Sequence, residues 1–135
     1  MAHLQEPSKT HPRPRTLGRE RLKRAFGYAF AGLAQAWRSE ANLRIEVWVG
    51  LVAITLAIVL DANLIAVILT TMLVLACELF NSALEAIIDM VMPTYHPLAK
   101  RAKDIAAGAV LLVSLGAIVV GLLVFVPPLW RLISN

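Results

Sequence analysis

The sequence predicts an all-α integral membrane protein with three transmembrane helices and an N-terminal amphipathic surface helix. Three observations lead there. Of the 135 residues, 59% are hydrophobic against 16% charged, too apolar a balance for a water-soluble domain. Three long apolar runs follow one another, separated by short polar breaks. Positive charge is segregated: nine of the thirteen Lys and Arg fall between residues 9 and 44, and three between 100 and 103. A net charge of +4 placed this way fits a membrane surface and not nucleic acid. It also predicts an orientation, with the N-terminal region and the second loop cytoplasmic, so that the first span runs outward, the second inward and the third outward.

Residues 1–15 hold Pro7, Pro12 and Pro14 among polar and basic side chains and are expected to form a disordered basic tail. From residue 16 to about 42, Leu17, Leu22, Phe26, Phe30, Leu33 and Trp37 recur at helical spacing beside Arg19, Arg21, Lys23 and Arg24, the pattern of a helix lying in the headgroup region. A first span is expected over about 45–60. Asp61, Ala62 and Asn63 then make a tight polar turn. The second run, about 64–92, contains no Gly or Pro and is ended by Pro93; it is long enough to cross the bilayer and project beyond it. A third span over about 105–126 is expected to stop at Pro127 and Pro128, leaving 129–135 as a C-terminal tail and 16–128 as the membrane domain. No small-residue cleavage site follows the first apolar segment, so it is expected to stay in the mature protein. The single cysteine, Cys77, lies inside an apolar run and reads as a core residue.

The chemistry is concentrated in the second run, where Glu78, Asn81, Glu85 and Asp89 interrupt apolar sequence. Their spacings of three, four and four put them on one helical face. An Asp at the centre of a span costs roughly 2.5–3.5 kcal/mol on insertion scales, so three carboxylates in one stripe should line a polar site between helices. A plainer role is to hold helices together or set an oligomer's register. The two glutamates differ in depth: seven residues at 1.5 Å each separate Glu78 from Glu85 by roughly 10 Å along the axis. One can then meet a lipid headgroup while the other meets a metal nearer water.

A second acidic cluster, Glu40-Ala41-Asn42-Leu43-Arg44-Ile45-Glu46, lies where the surface helix gives way to the first span. Glu40 can pair with Glu85 on a hard divalent cation such as Mg²⁺, which favours oxygen ligands and keeps several positions for water and phosphate. A solvated helix-end charge is the alternative for Glu40. Lys103 and Asp104 at the opening of the third span read as a membrane anchor and a helix-start carboxylate, or as a phosphate contact with its counter-ion. His96 has no second histidine at ligand spacing, which disfavours zinc. There is no Gly-x-x-x-x-Gly-Lys loop and no soluble-kinase signature, so any nucleotide site must be built on membrane helices.

Taken together, these segments resemble the prokaryotic diacylglycerol kinase and undecaprenol kinase family of small membrane lipid kinases. The run from Glu78-Leu79-Phe80-Asn81-Ser82-Ala83-Leu84-Glu85 to Ala86-Ile87-Ile88-Asp89 resembles its defining motif. Ala102-Lys103-Asp104 resembles the companion motif and Glu40 to Glu46 a third block; the resemblance covers about residues 19–128. It implies a homotrimer with active sites shared between protomers, in a bacterial inner or plasma membrane. The implied reaction moves the γ-phosphoryl group of MgATP to a lipid hydroxyl at the cytoplasmic interface. On that resemblance Glu78 is the general base, supported by Asn81, and Glu40 and Glu85 hold Mg²⁺ with the nucleotide. Arg21, Tyr28, Tyr95, His96, Lys103 and Asp104 match nucleotide contacts, Asn42, Arg44 and Glu46 line the lipid site with Glu78, and Asp89 supports. His96-Pro97-Leu98-Ala99-Lys100 and Asn42 look more like the undecaprenol branch. Arg44 with Glu46 resembles the diacylglycerol branch, and Leu43 replaces the more usual Phe; on balance the resemblance implies undecaprenol modestly over diacylglycerol as the substrate. Rival readings from other classes are a small oligomeric ion or proton channel lined by Glu78, Glu85 and Asp89, and a non-catalytic membrane scaffold; ATP-dependent labelling of lipid separates the kinase from both.

Overall fold

A computed structural model describes residues 18–134, so the N-terminal tail expected at 1–15 and the first two residues of the expected surface helix lie outside the described residues. Four helices follow in order: α1 (Gly18–Ser39), α2 (Ala41–Val59), α3 (Leu64–Val91) and α4 (Pro97–Ser134). The chain divides into two compact units, Met1–Leu33 and Ala34–Asn135, with α1 crossing the boundary.

The described part of the first unit is the front of α1. Glu20 sits in its first turn, and at the far end of the helix, in the second unit, Arg38 sits in its last, each charge opposing the nearer end of the helix dipole. No residue of α1 is buried, and Leu22, Phe26 and Phe30 stand exposed beside the basic side chains.

In the second unit, α2, α3 and α4 are long and apolar enough to cross a membrane. The protein is a membrane protein. α3 packs against both α2 and α4. Few side chains are buried, among them Leu43, Ala57, Val67 and Ala106, while Val59, Ile65, Phe80, Leu112 and Leu123 point outward. Outward apolar surface on this scale is stable only against hydrocarbon or another apolar body. At Gly50 α2 lies close against α3: a Cβ there would overlap the Thr71 side chain, so glycine lets the helices approach.

The breaks between helices have identifiable causes. Glu40 adopts an extended conformation (φ −97°, ψ 113°), ending α1 at Ser39 and starting α2 at Ala41, a little before the expected change near residue 42. Arg44 reaches back across the break, donating from Nη1 to the carbonyls of Trp37 (2.8 Å) and Arg38 (3.3 Å) and satisfying groups that a helix end leaves unpaired. Asp61 turns the chain in the left-handed region (φ 48°), and Asn63 caps α3 by accepting from the Ala66 N–H at 3.1 Å.

The last helix departs from expectation at both ends. It begins at Pro97, not near residue 105, so Lys100, Arg101 and Lys103 lie on a helix and not in a loop. Proline is suited to the first helical position, and His96 caps the start. Nor does it stop at Pro127 and Pro128: the helix runs through both to Ser134, so the expected tail from 129 is helical as far as it is described. In a span, where no water competes for the backbone, helical geometry is the favoured state and survives the loss of two N–H donors.

Candidate active site

The second unit builds its polar centre on α3. Glu78 is 3% exposed, the one buried charged residue among the described residues. It lies fourteen residues into the helix, about 21 Å from its start at 1.5 Å per residue, just past the middle of α3. Around it gather residues from the beginning of α2. Asn42 is within hydrogen-bonding reach of its carboxylate, and Glu40, Glu46 and Glu85 are close enough for their charges to act on it. One turn along α3, Asn81 donates from Nδ2 to Glu85 Oε1 at 3.1 Å, and Ser82 donates its hydroxyl proton to the Glu78 carbonyl at 3.0 Å.

Two atoms in this centre are buried without a partner, Glu46 Oε2 and Asn81 Oδ1. A buried acceptor left bare costs about 1–3 kcal/mol, and such a cost is tolerated where a ligand will satisfy it. Both atoms can accept a hydrogen bond from a hydroxyl or from metal-bound water.

The residues fit a hard divalent cation. Glu40 caps α2 without spending its side chain on a cap hydrogen bond, and Glu85 commits only one oxygen, to Asn81. Two carboxylates with oxygens to spare suit Mg²⁺, which takes one or two protein carboxylates and completes its shell with phosphate and water. No group of three or more His, Cys, Asp or Glu among the described residues forms a self-sufficient metal cage.

A second polar cluster lies at the ends of α3 and α4. Lys103 Nζ contacts Asp89 Oδ1 at 2.6 Å, tying the helices together, and Lys100 Nζ contacts Asp104 Oδ2 at 2.5 Å along α4. His96 Nδ1 accepts from the Leu98 N–H at 3.2 Å, which leaves Nε2 as the ring's free position. Tyr95 is exposed in the connection between the helices.

The structure therefore gathers Glu40, Asn42, Glu46, Glu78, Asn81 and Glu85 into one centre, and Asp89, Lys103 and Asp104 near the α3–α4 connection. Arg44 turns back to the end of α1. Arg21 and Tyr28 belong to the first unit, where both are exposed on α1. Sequence reasoning missed Ser82 and Gly50. Their signal was small size: a serine one turn after a buried glutamate, and the one glycine in an apolar first span.

The sequence profile described as prokaryotic diacylglycerol kinase matches residues 27–125, from the middle of α1 almost to the proline pair of α4. The chain belongs to the prokaryotic diacylglycerol kinase family. A diacylglycerol kinase of Synechocystis is 45% identical over 112 residues, spanning 80% of this chain but 64% of that relative's length. A diacylglycerol kinase of Escherichia coli K12 is 39% identical over 118 residues, covering 85% of this chain and 93% of the relative. An undecaprenol kinase of Bacillus subtilis is 30% identical over 112 residues, covering 81% and 91%. As a family member the protein is a lipid kinase, a membrane phosphotransferase. The channel and scaffold readings are left without an observation of their own.

Proposed function

We propose that the protein transfers the γ-phosphoryl group of MgATP to the hydroxyl of a membrane lipid at the cytoplasmic face of a bacterial inner membrane, working as a homotrimer with shared sites. The observation that carries this is the burial of Glu78 at the junction of α2 and α3, among other carboxylates and two amides. In this reading the Glu78 carboxylate takes the proton from the lipid hydroxyl as its oxygen attacks the γ-phosphorus. The bond from that phosphorus to the β–γ bridging oxygen breaks and ADP leaves. The reaction needs little covalent help from the protein, chiefly a positioned nucleophile and neutralised phosphate charge.

Asn81 holds Glu85 in place through its amide. Glu40 and Glu85 are the residues that would hold Mg²⁺, which when bound neutralises phosphate charge. Arg21, Tyr28, Tyr95, His96, Lys103 and Asp104 are assigned to the nucleotide and Asn42, Arg44 and Glu46 to the lipid, with Asp89 supporting Lys103. For the phosphates to take Lys103 and Asp104, the ion pairs with Asp89 and Lys100 must open or share their partners. Both carboxylates and Lys100 are largely exposed and Lys103 is half-buried, which keeps that exchange inexpensive.

For the lipid, the higher identities belong to relatives named diacylglycerol kinase, whereas the His96-Pro97 segment and Asn42 favour undecaprenol. We weigh the first more heavily, because identity over most of the chain samples more of the lipid-facing surface than one short segment. The test is phosphate transfer from labelled ATP to diacylglycerol and, separately, undecaprenol, in mixed micelles with Mg²⁺. Transfer lost in Glu78→Gln supports the reading and ranks the lipids. A folded wild type that labels neither overturns it.

A further inference from the structure

Where α2 turns into α3, a cavity of about 260 Å³ opens against the last turns of α4. It stands at the far end of α2 from the carboxylate centre: fifteen residues separate Asp61 from Glu46, about 22 Å at helical rise. Val59, Leu60, Pro128 and Leu132 give it apolar walls, and Asp61 and Arg131 supply one charge of each sign. Both charged side chains are exposed, and among the described residues neither is in an ion pair. The two charges therefore share a cavity with room for several waters and do not close on each other.

The turn itself does not call for a carboxylate. The Ala62 N–H donates to the Ala57 carbonyl at 2.9 Å and the Asp61 N–H to the Ile58 carbonyl at 3.3 Å, the two bonds that close a helix around a left-handed residue. Glycine or asparagine is the usual choice there, and a negative charge meets the negative end of the α2 dipole. A cation beside Asp61 offsets that repulsion. Arg131, by contrast, suits its own place in the last turn of α4, where a cation complements the dipole. Trp130, exposed one residue earlier, is of the kind that collects where head groups meet hydrocarbon.

We propose that this cavity binds the head group of a zwitterionic, amine-bearing phospholipid, its phosphate on the Arg131 guanidinium and its ammonium on the Asp61 carboxylate. A cation and an anion held apart match a ligand that carries both signs. Arginine presents a fork of donors to phosphate, whereas a head group without an amine leaves Asp61 facing negative charge alone. Val59 and Leu132 are exposed beside the cavity and continue it into apolar surface, which favours a lipid over a free zwitterion. The bound head group bridges the α2–α3 turn to the end of α4. Nothing in this depends on phosphoryl transfer, and the test does not read turnover.

The test is native mass spectrometry of the full-length chain released from micelles containing equal amounts of phosphatidylethanolamine and phosphatidylglycerol. The wild type should retain phosphatidylethanolamine about tenfold better, the scale of one charge-assisted hydrogen bond. Asp61→Asn, which keeps a residue suited to the left-handed turn, should bring that preference to within about twofold. Arg131→Gln should lower retention of both lipids. Equal retention by the wild type overturns the proposal, as does a preference that survives both substitutions. Glycerophosphoethanolamine, the same head group without acyl chains, should fail to displace the lipid even in large excess; displacement overturns the assignment to a lipid. A change of oligomeric state in Asp61→Asn with the lipid preference intact assigns Asp61 to a second copy of the chain and also overturns it.

Discussion

Glu78 and Asp89 are carboxylates on the same face of α3, eleven residues apart, and they occupy different solvents. Glu78 is 3% exposed, with Glu40, Glu46 and Glu85 around it and Asn42 in reach. The Asp89 side chain is 63% exposed and has a lysine 2.6 Å away. About 16 Å of helix separates them. Near Glu78 a charge has no water to share its field, so its chemistry depends on its few neighbours. At Asp89 water and salt screen the ion pair, so the same group acts as an adjustable tether for Lys103. A row of carboxylates on one helix is therefore a graded series, and mutation should reveal the gradient.

Glu78→Gln should have the largest effect, lowering kcat by about 10²–10⁴, the usual contribution of a positioned base, with KM for ATP nearly unchanged. A steady-state assay that finds more than a tenth of wild-type turnover would break the contrast at its buried end. Glu85→Gln comes next. It keeps the hydrogen bond to Asn81 but loses a charge, and it should weaken apparent Mg²⁺ affinity by roughly 10–100-fold. Titrating Mg²⁺ should recover part of the rate, and a defect indifferent to Mg²⁺ would remove Glu85 from the metal.

Lys103→Met should raise KM for ATP by about tenfold, in line with loss of one charge-assisted hydrogen bond, and the wild-type advantage should shrink as salt is raised. A salt-independent defect would show that packing, and not charge, is what Lys103 supplies. The smallest effect belongs to Asp89→Asn. Its exposed pair is worth below about 1 kcal/mol, so stability should hardly move and KM for ATP should change by less than about fivefold. A loss on the scale of Glu78→Gln would mean that the two ends of α3 share one environment, and the gradient would be gone.

Much of this was legible in the sequence, for reasons that differ from place to place. Three apolar runs give three helices because length and hydropathy dictate them. The α3 stripe was legible because Glu78, Asn81, Glu85 and Asp89 repeat at helical spacing in a segment where charge is costly. The meeting of Glu40, Asn42 and Glu46 with Glu78 was only half visible. It depends on where α1 yields to α2, and that break is set by backbone angles at Glu40 and by Arg44 reaching back across it. The early start of α4 was hidden because Pro97 reads equally as a loop residue or a first helical residue.

Pro127 and Pro128 leave α4 with a mechanical property that its helical outline conceals. Neither nitrogen carries a hydrogen, so the carbonyls of Leu123 and Val124 lose the rungs that would tie them to the next turn. Two consecutive missing rungs make a compliant joint in an otherwise stiff rod of 38 residues. Bending strain reaching α4 from either membrane face should collect at that joint, sparing the stretch beside Ser114 and Ala117, and the turns beyond it should exchange their amide protons first.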